Sequence, residues 1–160
     1  MSGSQMLLVM GGLILISFLG LNINRSITNA QLQTYNAEYI ATATAIGQSV
    51  LNRVTTKAFD KNTISNPVYS QGLFTPADSL APPQGKQVSD FDNIDDFNNY
   101  TEVDSTPRTD NYTVRVKVNY VDDNNSTTIL STTSRTKRIQ VAVANPMMKD
   151  TVYLYSYKSY

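Results

Sequence analysis

From Ser4 to Ile23 the chain runs for twenty residues without a charge, and inside that run lies the apolar stretch MLLVMGGLILISFLGL, Met6–Leu21. At about 1.5 Å of rise per residue, a helix of this length reaches across a hydrocarbon layer of roughly 30 Å. A soluble chain of 160 residues would have to bury such a helix on every side, and no second apolar helix is available to do it. A membrane segment over about residues 4–24 is therefore expected. A cleaved secretory signal would begin with basic residues and end in a small-x-small site, whereas MSGSQ has no Lys or Arg and Asn22, Asn24 and Arg25 follow the run. The segment is expected to be retained. Arg25 alone flanks it, so charge does not set its orientation.

Beyond Arg25 nothing breaks a helical pattern until the turn-forming cluster Asn62–Pro67. Apolar residues recur at Ile27, Ala30, Tyr35, Tyr39, Ala43, Ile46, Val50, Val54 and Ala58, in steps that match a helical period. One helix over residues 1–60 follows, roughly 84 Å long from Ser4 to Phe59. A head of about 100 residues is too small to cover it, so much of the helix must find partners elsewhere. Gly11, Gly12 and Gly20 cost about 1 kcal/mol each in helix propensity but let neighbouring helices approach closely. Local unwinding at these glycines is the competing use. The run ATATAIGQSV, Ala41–Val50, spreads small residues around the helix, so Ala41, Ala45 and Gly47 are expected to admit both the chain's own sheet and neighbouring copies. A lone coiled coil fits poorly, because the seam lacks Leu or Ile at most positions and Glu38 is the only acid before Asp60.

Residues 112–160 carry a different period. Tyr112, Val114, Val116, Val118 and Tyr120 alternate with Thr113, Arg115, Lys117 and Asn119, as in a half-buried strand. DDNNS at Asp122–Ser126 supplies a turn, and β-branched residues continue through Thr127–Thr133 and TKRIQVAVA, where Ile139, Val141 and Val143 alternate again. Asn145-Pro146 ends that strand, and VYLYSY at Val152–Tyr157 makes a last one, with Val152 and Leu154 on one face and Tyr153, Tyr155 and Tyr157 on the other. Residues 61–111 hold five of the six prolines and few large apolar anchors, among them Leu73, Phe74, Phe91 and Phe97; a loop-rich region is expected there. The expected class is α+β: a long amino-terminal helix, transmembrane in its first half, packed by a small carboxy-terminal antiparallel sheet.

Cys, His and Trp are absent, which removes the thiolate nucleophile, the imidazole base and the usual zinc ligands together. No enzyme is expected. Thirteen basic residues balance thirteen acidic ones, so no charge excess draws the chain to nucleic acid. Asp90, Asp92, Asp95 and Asp96 cluster hard oxygen ligands as a calcium site would, although the Gly and Glu of an EF-hand loop are missing. A solvated acidic turn is the competing reading, and no other cofactor is expected.

Between Asp78 and Asp110 eight acids outnumber two bases, net −6, while from Asn111 to Lys149 six bases outnumber two acids, net +4. Such opposite patches can attract identical copies head to tail. Arg135, Lys137 and Arg138 equally fit the solvated face of a strand. Asn99, Asn111, Asn124 and Asn125 begin glycosylation sequons.

A single apolar helix running into a small-residue-rich extension, then a loop, then an antiparallel sheet with no catalytic set, resembles the type IV pilins and pseudopilins. That resemblance implies an extracellular filament: a homopolymer whose amino-terminal helices pack in its core, assembled by pilus machinery from subunits held beforehand in the inner membrane. In that family a basic leader ending in Gly is removed, and Glu at the fifth mature position pairs with a neighbour's terminal amine. Here Gln5 stands fifth from Met1, able to hydrogen-bond but carrying no charge. Met1 as the mature end, an unusual leader and cleavage after Gly3 all fit. Archaeal flagellin-like subunits share the plan. The alternative is a monomeric, membrane-anchored extracytoplasmic binding module.

Overall fold

The computed structural model describes residues 2–160: a helix, α1, over Gly3–Thr55, followed by strands β1 (Thr101–Thr106), β2 (Asp110–Val121), β3 (Thr136–Ala144) and β4 (Val152–Ser159). The class is α+β, as expected. The chain divides into two units, 1–38 and 39–160.

In the first unit α1 has no core. From residue 2 to residue 37 every described residue is exposed except half-buried Gly12, and Leu8 and Leu15 are 79% and 72% exposed. The helix is long and apolar enough to cross a membrane. Three of its hydroxyls bond the preceding turn: Ser17 Oγ donates to Leu13 O at 2.8 Å, Thr28 Oγ1 to Asn24 O at 3.0 Å and Thr34 Oγ1 to Ala30 O at 2.9 Å. Hydroxyls that bond the preceding turn leave no donor seeking water.

The second unit begins with Tyr39–Thr55 of α1, which buries Ala43, Ile46, Gly47, Val50, Leu51 and Val54. Their spacing forms one apolar stripe of an amphipathic helix. The four strands lie in the order β1-β2-β3-β4, all antiparallel. Tyr112, Val114, Val116, Val118 and Tyr120 of β2 and Ile139, Val141 and Val143 of β3 are buried and join the helix stripe in one core. Register sets Val116 opposite Val141 and Val141 opposite Leu154, so the inward phase continues from strand to strand.

The helix ends at Thr55, short of the expected residue 60. Thr55 and Thr56 turn their hydroxyls onto Asn52 O and Arg53 O at 3.0 and 2.8 Å. Lys158 Nζ, from β4, then donates to Thr55 O at 2.8 Å and to Lys57 O. A cation on the last carbonyls satisfies the orphan acceptors of a helix end.

Within residues 61–111 the strand β1 was not expected. Its sequence, TEVDST, lacks an apolar phase because it is an edge strand with mostly exposed side chains. Pairing with β2 creates it, through a turn in which Thr109 N donates to Thr106 Oγ1 at 3.2 Å and Asp110 takes φ 62°. Thr127–Thr133, expected to extend, holds only a bridge between Val121 and Ile129. Leu73, expected as an anchor, is 61% exposed, whereas Phe74, Phe91 and Phe97 are buried. Five short 3-10 turns carry the rest of the loop region. Asn98 pins it to the sheet, its Nδ2 donating to Leu80 O at 2.7 Å and its Oδ1 accepting from Val118 N at 3.0 Å.

Candidate functional site

The first candidate surface is the apolar part of α1. A Cβ placed on Gly11, Gly12 or Gly20 would meet no atom within 4 Å, so each leaves a smooth notch on an otherwise bulky helix. Gln5 is occupied by its own chain: its Oε1 accepts from Ser2 N at 3.2 Å. That bond satisfies one of the free N–H groups at the helix start, the role a cap plays.

Further along, the small residues divide between two faces. Ala41 and Ala45, one helical turn apart, are exposed. Gly47 faces the chain's own sheet, one of the two uses expected for this run. A Cβ there would collide with Leu154 Cδ1 and stand 3.1 Å from Val143 Cγ2, so this glycine is what lets α1 lie against β3 and β4.

The expected calcium ligands are not brought together. Among the described residues no group of three or more Asp, Glu, His or Cys side chains could hold a metal ion. Asp90 and Asp92 stay in solvent, while Asp95 and Asp96 are buried. Asp96 Oδ2 accepts from Asp92 N at 3.2 Å. The short turn Ile94–Phe97, all four residues of which are buried, carries Asp95 into the core.

What waits there is Lys137, placed in the sequence on a solvated strand face or a charged contact patch and in fact wholly buried. Its Nζ donates to Asp95 Oδ1 at 2.7 Å, Asp60 Oδ2 at 2.9 Å and Phe59 O at 3.0 Å. The rings of Phe59 and Tyr120 stand 4.5 and 4.6 Å from the same atom. Three donated bonds and two aromatic faces account for the whole surroundings of an ammonium group.

The two carboxyls differ. Burial raises the pKa of Asp60, but the bonds from Lys137, Asn62 N and Thr75 N outweigh it and hold the group below the usual carboxylate range. Asp60 also accepts from Thr75 Oγ1 at 3.0 Å and Tyr120 Oη at 3.1 Å. Asp95 is pushed up to about 7 by burial, against the pull of Lys137 and with the help of the Asp60 charge. Its Oδ2 is buried without a hydrogen-bond partner. Tyr120 is raised as well, by burial and then by both carboxylates.

One signal in the sequence could have found Lys137: it stands in phase with Ile139, Val141 and Val143, so the alternation that buries them buries it. Lys158 is likewise in phase with Val152 and Leu154.

The opposite sheet face is open. Tyr153, Tyr155 and Tyr157 are 54%, 51% and 46% exposed, with Arg115 and Lys117 on the same face. Arg138 lies over the Tyr155 ring at 5.7 Å, and a depression of about 350 Å³ runs between Arg115 and Tyr153. The sequons Asn99, Asn111, Asn124 and Asn125 are all exposed.

These features define an α+β protein with an exposed apolar amino-terminal helix, an open aromatic sheet face and a buried charge centre. No family model, no curated protein and no solved structure matches the chain.

Proposed function

We propose that this chain is a structural subunit of an extracellular filament of the type IV pilus kind. The observation that carries the proposal is the apolar run of α1, whose large side chains from Met6 to Ile23 are all more than half exposed. Exposure on that scale requires a second apolar environment. Lipid supplies it before assembly, in the inner membrane, and other copies supply it afterwards, when the helices pack in a filament core. Gly11, Gly12 and Gly20 offer the close approach that helix packing without a hydrophobic driving force needs. Ala41 and Ala45 extend the same opportunity onto the head. Assembly is then a transfer between two apolar solvents, driven from the membrane by pilus machinery, and neither an enzyme's cleft nor a nucleic-acid surface is called for.

Electron microscopy of material sheared from cells tests this reading. Thin filaments composed of this chain are expected at the cell surface; recovery only as a detergent-soluble monomer sinks the proposal. That second result would favour a membrane-anchored binding module, for which the open face bearing Tyr153, Tyr155 and Tyr157 is the feature in its favour.

A further inference from the structure

The Lys137 centre holds the reactants of a condensation. An amine and two carboxyls lie within hydrogen-bond distance, with the Lys137 and Asp60 side chains fully buried and that of Asp95 only 5% exposed. We propose that Lys137 and Asp95 join through a side-chain amide that staples β3 to the Ile94–Phe97 turn, with Asp60 carrying the proton. The inference stands independently of filament assembly.

The hydrogen bonds assign the parts. Asp60 accepts from Asn62 N, Thr75 N, Thr75 Oγ1 and Tyr120 Oη besides Lys137, a set that keeps it anionic and able to take a proton. Asp95 accepts through Oδ1 from Lys137 alone, and its buried Oδ2 has no partner. A carboxyl with one bare buried oxygen is best accommodated as the neutral acid, the form that carries a hydroxyl able to leave. Burial, which lifts Asp95 to about 7, acts in the same direction. The Phe59 and Tyr120 rings stand 4.5 and 4.6 Å from Nζ.

In the step, one Nζ proton passes to Asp60 and the free amine attacks Cγ of Asp95 in its acid form. The C–N bond forms, the remaining ammonium proton is relayed through Asp60 to the departing hydroxyl, the C–O bond breaks and water leaves. Lysine ammonium, aspartic acid and the Asp60 carboxylate become a secondary amide, water and Asp60 in its acid form, which keeps the first proton; nothing is oxidised or reduced. Amide formation between free groups in water is unfavourable. Groups held in contact by a fold gain an effective concentration of about 10⁵–10⁸ M, and a dry site disfavours the return of water. The bond closes a loop from residue 95 to residue 137, constraining the unfolded chain as a disulfide would in a protein that has no cysteine.

Intact-mass spectrometry of the full chain, extracted in detergent and denatured, decides the matter. The wild-type chain is expected to be lighter than Lys137→Arg by one water beyond the Lys-to-Arg difference, and proteolysis is expected to yield a branched peptide joining the Asp95 and Lys137 segments. Asp60→Asn, with its fold checked by circular dichroism, is expected to regain the lost water. Full mass and separate linear peptides from folded wild-type chain overturn the proposal, even if Lys137→Arg cannot be made. A branch from Lys137 to Asp60 overturns the assignment of Asp95, and a complete cross-link in Asp60→Asn overturns the role of Asp60.

Discussion

The two units of the chain invert one another. Residues 2–37 place leucine, isoleucine and phenylalanine outside, whereas residues 39–160 bury a lysine and three aspartates beneath a sheet. Each inversion is costly in water, and each is tolerated for a different reason. Exposed apolar surface on α1 is stable only where lipid or other helices replace water. Buried charge is stable only where every partner is in place, as for Lys137 among Asp60, Asp95 and Phe59 O. The first unit therefore depends on what surrounds the molecule, and the second on contacts made within it.

The strongest way to break this contrast is Lys137→Ala. It leaves the Asp60 and Asp95 side chains buried without the Lys137 nitrogen that both of them face, and the head is expected to lose about 3–5 kcal/mol in urea denaturation followed by tyrosine fluorescence. An unchanged midpoint would mean that the centre is not closed to water. Leu15→Arg addresses the other inversion. A charge at mid-span is expected to cost about 3 kcal/mol of membrane insertion, seen as loss of the chain from the membrane fraction, with the head's circular dichroism unaltered. Retention in the membrane would count against a spanning segment.

Gly47→Val sharpens the boundary between the two behaviours. Its branched side chain meets Leu154 and Val143, and overpacking of about 1–3 kcal/mol is expected in the same denaturation assay. Ala45→Leu, on the exposed face of the same helix, is expected to shift stability by no more than about 0.5 kcal/mol while lowering the yield of sheared filaments. Equal effects of these two substitutions on stability would erase the distinction between the inner and outer faces of α1.

Local periodicity made much of this fold legible. The apolar run, the helical spacing through Val54 and the alternation in β2, β3 and β4 each reflect side-chain geometry within one element. The edge strand β1 escaped because TEVDST buries little and exists through its pairing with β2. The candidate site was legible only in part. Ala41 and Ala45 lie where small residues around a helix placed them, on a free face, but Gly47 faces Leu154, more than a hundred positions away in the chain.

By itself, then, the sequence determined the elements and their faces: which part of α1 must avoid water, and which phase of each strand turns inward. Only the tertiary structure decided what the inward charge at Lys137 would meet. Asp60 and Asp95 lie 77 and 42 residues from it, and their approach depends on the helix ending at Thr55 and on the turn at Ile94–Phe97. The alternation that buries a side chain is a property of one strand, whereas the partners that make burial of a charge tolerable come from elsewhere in the chain.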